Sequence, residues 1–281
     1  MNRMNYIKLV IELKEAYQEF LIPELSELGF DGFENHALVL SAYISQKKFD
    51  SPLRENVEEL LARFPAKANL RSEEVVAQQN WNEQWEQTIQ AQQISSFFVK
   101  PSWSTEEVPS NSIPINIDPK MAFGTGYHET TRLVLRMLPG LVQNNCAVID
   151  AGTGTGILSI AVVKLGAKKV LAFDVDEWCI QNANENTRLN EVENNISVKK
   201  GSTEVIPGQA SADLLLANIE KNIIMDSLPD FIAALKKGGD LVLSGLLVDD
   251  REEMLKVLPD KMQIKDVRQE NEWIAIHAQK Q

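Results

Sequence analysis

Apolar residues along the chain recur with two periods, and their alternation lays out the elements. Beyond residue 146, runs of strand length centre near Ala147, Leu171, Ser197, Leu215 and Val242, and stretches of helical spacing near Ile160, Ile180, Ile224 and Glu253 separate them. Alternation of this kind predicts a doubly wound parallel sheet. Residues 262–267 and 273–278 alternate like the two arms of a terminal hairpin. The start of the chain has a shorter rhythm: a strand at 6–13, an amphipathic helix at 16–28, a strand at 37–44, a helix at 54–64 opened by Ser51-Pro52, and a short strand near 69–74. So compact an alternation predicts a small α+β unit with helices on one face of an antiparallel sheet.

Between the two patterns the chain turns polar. Residues 73–93 are rich in Gln, Glu and Asn, with Trp81 and Trp85 four positions apart, which predicts both indoles on one face of a linker helix, packed against a domain or, in the second reading, lining a substrate groove. Residues 97–103 then begin the second unit, and 102–112 read as a polar, proline-containing loop. The expected division is a recognition domain at 1–75, a linker at 76–100 and a larger domain at 101–281.

Composition narrows this picture. A chain of 281 residues that is 44% hydrophobic and 24% charged has room for two modest domains. Lys and Arg total 28 against 40 for Asp and Glu, a formal net charge of −12 with no dense basic stripe. That balance argues against RNA or DNA as a direct substrate, because nucleic-acid binders neutralise phosphates with a basic face. It suits either steering toward a basic partner or simple solubility. Residues 1–20 lack the apolar core of a secretion signal, no apolar run reaches membrane-spanning length, and Cys146 and Cys179 are too few and too far apart for a zinc site or disulfide framework. A cytoplasmic, monomeric protein without a metal is the expectation.

Chemistry concentrates at Val148-Ile149-Asp150-Ala151-Gly152-Thr153-Gly154-Thr155-Gly156, an apolar run ending in an acid and then alternating glycines before a helix at 157–165. Glycine at a strand-to-helix turn permits positive φ and close approach of a ligand to the backbone. A dinucleotide fingerprint would carry its third glycine where Ile157 stands. The next strand ends at Asp174, 22 residues after Gly152, the spacing at which a carboxylate accepts hydrogen bonds from both ribose hydroxyls. Taken singly, Asp174 and Asp176 read equally as solvated acids at a helix start. Upstream lies Asp118-Pro119-Lys120-Met121-Ala122-Phe123-Gly124-Thr125-Gly126-Tyr127-His128-Glu129-Thr130-Thr131, a poor core but a good polar pocket wall. Its threonines also suit helix caps, and His128 suits a surface site. Glu129 and Glu220 are candidates for receiving a substrate ammonium.

These strings together resemble the ribosomal protein L11 methyltransferase family, whose members belong to the class I S-adenosylmethionine methyltransferases. Leu216-Ala217-Asn218-Ile219 matches that family's fourth strand, and Gly238-Gly239-Asp240-Leu241-Val242-Leu243-Ser244-Gly245 its fifth. The match is dense from about Pro101 onward and looser over the first ninety or so residues. The resemblance implies a Rossmann-like seven-stranded methyltransferase domain with one antiparallel strand, preceded by a small ferredoxin-like α+β domain that grips ribosomal protein L11. It implies S-adenosylmethionine as methyl donor and lysine side chains and the terminal amine as acceptors. Carried over by position, Thr131, Gly152, Asp174 and Asn218 contact the cofactor, and Asn218 also orients the reacting amine. Many amino-group methyltransferases carry Asn/Asp-Pro-Pro-aromatic at this place. This chain has Asn218-Ile219-Glu220-Lys221, which speaks against a planar acceptor stacked on an aromatic ring and suits a lysine amine; the plainer role for Asn218 is to cap the helix from Lys221. The other readings are a methyltransferase for a different protein amine, a dinucleotide-dependent oxidoreductase, and a binding module with a degenerate pocket.

Overall fold

The structure is a computed structural model that describes residues 5–77, 89–120 and 122–281. The chain divides into two compact units, Met1–Trp81 and Asn82–Gln281.

The first unit runs β1 (Asn5–Glu12), α1 (Glu15–Glu27), β2 (Gly32–His36), β3 (Val39–Ser45), α2 (Ser51–Arg63) and β4 (Asn69–Ala77). Its sheet order is β2-β3-β1-β4 with every neighbour antiparallel, the ferredoxin-like arrangement. Ile7, Leu9 and Ile11 of β1 lie opposite Ile44, Ala42 and Leu40 of β3, so period-two alternation sends six apolar side chains to one face. They pack there against Leu21 and Leu25 of α1 and Val57, Leu60 and Leu61 of α2. The α2 start is capped by Asp50, whose carboxylate accepts the Leu53 N–H at 3.0 Å, with Pro52 in the first turn. Two details differ from the sequence reading. Strand β2, Gly-Phe-Glu-Asn-His, leaves no alternation in the sequence, because it is an edge strand with one large apolar residue. The polar stretch from residue 73, whose spacing predicts a helix, begins as strand, since β4 continues to Ala77, and ends as strand at Gln92–Ile94. Trp81 and Trp85 lie outside the described residues.

The second unit opens with a small sheet of β5 (Gln92–Ile94), β6 (Phe97–Lys100) and β7 (Ile113–Asn116). It continues through α3 (Glu129–Met137), β8 (Ala147–Ala151), α4 (Ile157–Lys164), β9 (Lys169–Asp174), α5 (Glu177–Leu189), β10 (Ile196–Lys200), β11 (Ala212–Asn218), α6 (Lys221–Ala234), β12 (Leu235–Leu247), α7 (Arg251–Val257), β13 (Met262–Glu270) and β14 (Trp273–Lys280). The seven strands from β8 onward form one sheet, ordered β10-β9-β8-β11-β12-β14-β13. β8 to β12 are mutually parallel, and β14 runs antiparallel to both its neighbours. This is the Rossmann-like class I methyltransferase sheet.

The central strands are apolar on both faces because both faces are covered. Val148, Leu214, Leu216 and Val242 pack with Leu133 and Val134 of α3 and Ile157 and Ile160 of α4. Their sequence neighbours Ile149, Leu215, Leu241 and Leu243 point the other way, onto Ile224, Leu228 and Phe231 of α6 and Met254 of α7. The chain leaves β8 toward β9 on one side and later returns to β11 on the other. That reversal opens a crevice at the carboxyl ends of β8, β9 and β11, where open α/β sheets bind ligands.

Candidate active site

The glycine loop is shaped by three residues in the left-handed region: Gly152 at φ 72°, Gly154 at 54° and Gly156 at 84°. Conformation is only half the reason for glycine. A Cβ on Gly152 would stand 2.1 Å from Ile219 Cγ2, and one on Gly154 would stand 2.2 Å from the Phe123 carbonyl oxygen. The loop is therefore squeezed between the chain after β11 and the segment ahead of α3. The N–H groups of Gly152 and Thr153 donate to the Phe173 carbonyl at 2.9 and 3.0 Å, and Thr155 N–H donates to that of Phe123 at 2.9 Å.

Two acids serve the loop differently. Asp174, at the end of β9, accepts the Gly154 N–H on Oδ2 at 3.0 Å and the Asp176 N–H on Oδ1 at 3.1 Å, which fixes its carboxylate at the cavity wall. Asp176 caps α5 through the Trp178 N–H at 2.9 Å. Asp150 is fully buried beneath the loop. Its Oδ2 accepts the Thr153 and Ser159 hydroxyls at 2.8 and 2.6 Å, while Oδ1 has no partner among the described residues. Burial pushes the Asp150 carboxyl upward, against the two hydroxyl bonds that favour its charged form.

Above the crevice lies a cavity of about 560 Å³, within the usual range for small-molecule sites. Gly152, Gly154, Asp174 and Asn218 all line it, with Phe123, Val175, Ile219, Ile223, Phe231 and Trp273 as its apolar wall. Thr131 does not line it. That residue is fully buried one step behind, where its hydroxyl accepts a hydrogen bond from the Asn218 amide at 3.4 Å. Its neighbour Thr130 lines the cavity instead. The Asn218 amide nitrogen is thus directed inward, and its carbonyl oxygen remains as the acceptor for a ligand. Asn218 does not cap α6; that position is held by Glu220, which also lines the cavity.

His128 is a wall residue as well as a cap. It rather than either threonine caps α3, its Nδ1 accepting the Thr130 N–H at 3.4 Å, and its ring sits edge-on to Phe123 and Trp273 with centroids 5.2 and 4.8 Å away. Sequence reasoning gave Trp273 no site role, since it stands 55 positions beyond Asn218 in a hairpin read only for its strands. Glu129 faces elsewhere: its carboxylate takes the Asn271 amide at 3.0 Å and pairs with Arg132 at 3.3 Å. Cys179 lines the cavity, but burial, followed by the charges of Asp174 and Asp176, pushes its thiol up to about 11, so it stays protonated and unreactive at neutral pH.

The arrangement offers a backbone cradle, a fixed carboxylate for paired hydroxyls, an apolar chamber and one directed amide oxygen. Comparison with known proteins agrees with it. The family model for ribosomal protein L11 methyltransferase (PrmA) matches residues 9–281. The chain is 34% identical to the ribosomal protein L11 methyltransferase of Porphyromonas gingivalis over 97% of each chain, and 35% identical to that of Chlorobaculum parvum over 96% of this chain and 95% of the other. Among solved structures, the ribosomal protein L11 methylase of Lactobacillus delbrueckii subsp. bulgaricus is 30% identical with a TM-score of 0.64, covering 69% of this chain and all of that one. The chain belongs to the ribosomal protein L11 methyltransferase family.

Proposed function

We propose that this chain transfers methyl groups from S-adenosylmethionine to lysine side-chain and N-terminal amines of ribosomal protein L11, acting as a monomer on protein rather than nucleic acid. The observation that carries the reading is the meeting of Gly152, Asp174 and Asn218 around one cavity at the switch point of the sheet. When bound there, S-adenosylmethionine supplies an electrophilic methyl on a sulfonium. The residues present fit it: Asp174 suits two ribose hydroxyls, the crowded glycine loop lets backbone reach the ligand, and Val175 and Ile223 suit the flat faces of the adenine ring.

The remaining work falls to the wall. A lysine amine with an ordinary pKa of about 10.4 arrives protonated, and only the neutral form has a free lone pair. Phe123, Ile219 and Trp273 would strip water from it, which disfavours the ammonium, so that its proton leaves to solvent before methyl transfer. Asn218, whose amide nitrogen is held by Thr131, would accept an N–H of the neutral amine on its carbonyl oxygen and so orient the lone pair; such orientation is the chief catalytic contribution where the donor is already activated. Glu220, at the cavity edge, receives the incoming ammonium. In this reading Thr131 acts through Asn218. The first unit takes the role of gripping ribosomal protein L11, supported by the family to which the chain belongs.

The test is mass spectrometry of unmethylated ribosomal protein L11 after incubation with this enzyme and S-adenosylmethionine. Increments of one methyl each, mapped to lysine or terminal amines, are expected. No increment, with cofactor binding intact by calorimetry, would reject this acceptor and point to another protein amine.

A further inference from the structure

Three buried asparagines on one helix face belong to none of the parts above. Asn182, Asn186 and Asn190, spaced four apart along α5 and its C-cap, are 2%, 1% and 6% exposed. Polar side chains so deeply placed must spend their hydrogen bonds on something, and each spends them on backbone. Asn190 accepts the Asn116 N–H at 2.9 Å and donates to the Asn116 carbonyl at 2.6 Å. Asn186 accepts the Asp118 N–H at 3.0 Å and donates to the Thr155 carbonyl at 2.9 Å. Asn182 donates to the Asp118 carbonyl at 2.8 Å.

The same strand of chain is sewn down again further along. Thr155, whose carbonyl Asn186 holds, sends its N–H to the Phe123 carbonyl and its hydroxyl to the Gly124 carbonyl. Asn116 and Asp118 are therefore tied to α5, and Phe123 and Gly124 to the glycine loop. Asn186 is the joint, touching both.

We propose that Asn182, Asn186 and Asn190 are positioning residues that seat Asn116 and Asp118 against the glycine loop and so, together with the Thr155 bonds to Phe123 and Gly124, fix where Phe123 and Gly154 stand in the wall of the cofactor cavity. This rests on the reading of the cavity as an S-adenosylmethionine site. A carboxamide suits the task because it donates and accepts at once, so one side chain pins an N–H on one strand of chain and a carbonyl on the other. An apolar residue of similar size fills the space and leaves two backbone groups unpaired. The effect should grade with contact: largest for Asn186, which alone bonds to the loop, and smaller for Asn182 and Asn190, which bond to Asp118 and Asn116 and brace Asn186, Asn182 accepting its amide at 3.3 Å and Asn190 donating to its carbonyl at 2.8 Å.

The experiment compares Asn186→Leu, Asn182→Ala and Asn190→Ala with the wild-type chain, and with Asp213→Ala as reference for a purely structural loss. Asp213 holds the Ala147 N–H and Lys236 at the opposite end of the strands. Each variant is taken well below its melting temperature, and its affinity for S-adenosylhomocysteine is measured by calorimetry, with kcat and KM for S-adenosylmethionine alongside. Asn186→Leu is expected to weaken binding by about tenfold and to raise KM more than it lowers kcat. Asn182→Ala and Asn190→Ala should each do so less, and Asp213→Ala should lower the melting temperature with unchanged affinity. If Asn186→Leu does not fold, Asn182→Ala and Asn190→Ala carry the comparison. Folded variants that bind as tightly as the wild type, or that lose kcat at unchanged KM, would overturn the proposal. Wild-type chain that binds neither ligand would instead remove the cofactor reading beneath it.

Discussion

At the scale of single residues, the glycine loop separates two causes of glycine. Gly152 and Gly154 both sit at positive φ, where an L-residue costs about 1–2 kcal/mol, but a side chain crowds the first and backbone crowds the second. Gly152→Ala meets Ile219 Cγ2, and Gly154→Ala meets the Phe123 carbonyl. Cofactor binding should therefore fall in both variants, and adding Ile219→Ala should restore part of it to Gly152→Ala and none to Gly154→Ala. Calorimetric titration of the two single and two double variants reads this directly; equal rescue of both would contradict the geometry. The same residues explain what sequence can reveal. Glycines between a β-strand and a helix, followed by an acid at the end of the next strand, are legible because they answer a local backbone demand. Asn182, Asn186 and Asn190 are not, because at four-residue spacing they look like a solvated helix face, and their burial is created by residues 64 to 74 positions earlier. Thr131 was legible as part of a motif, but its place behind Asn218 depends on how α3 meets β11, a tertiary fact.

At the scale of elements, the start of α3 and the end of β13 are joined by charge. Arg132 reaches Glu270 at 2.7 Å and Glu129 at 3.3 Å, and Arg136 also pairs with Glu270. Burial pushes the Glu270 carboxyl up, but bonds from Arg132 and Arg136 outweigh it and hold it below the usual range; Glu129 is lowered by its own backbone N–H and the Asn271 amide. Carboxyls whose folded pKa is depressed contribute stability above about pH 4.3, the unfolded value, and lose it as pH falls through the folded value. Glu270→Gln should thus cost about 1 kcal/mol at pH 7 and nothing once the pH is below both values, so its stability curve is flatter than wild type across that acid limb. Urea unfolding from pH 7 to 2.5 measures it; a constant offset at every pH would mean that shape rather than charge was lost. Legibility at this scale followed packing. The central strands β8, β9 and β11 are near-continuous apolar runs because both faces are covered, while β10 and β13 at the edges are largely polar. The weak elements escaped: β2 is a polar edge, β7 is a four-residue strand closing the proline-containing loop, and the β4 extension to Ala77 alternates too few apolar residues to stand out.

At the scale of the whole molecule, the cleft explains how a methyl donor is held, but nothing at the cofactor says what approaches it. Net charge speaks to that approach. A chain carrying −12 attracts a basic protein over distances of a Debye length, about 8 Å at physiological salt, and raises the encounter rate without strengthening the docked complex in proportion. The attraction scales with the product of the two charges, so a basic protein acceptor should feel it strongly and a small donor of low net charge only weakly. Raising ionic strength from about 20 to 500 mM is therefore expected to increase KM for the protein acceptor severalfold while KM for S-adenosylmethionine and kcat move little. Steady-state kinetics with each substrate varied in turn over a salt series settles the point. A parallel rise in both KM values would mean that salt acts on the fold or the cleft. A flat acceptor KM would mean that apolar contact alone selects the partner and that the acidity of the chain serves its solubility.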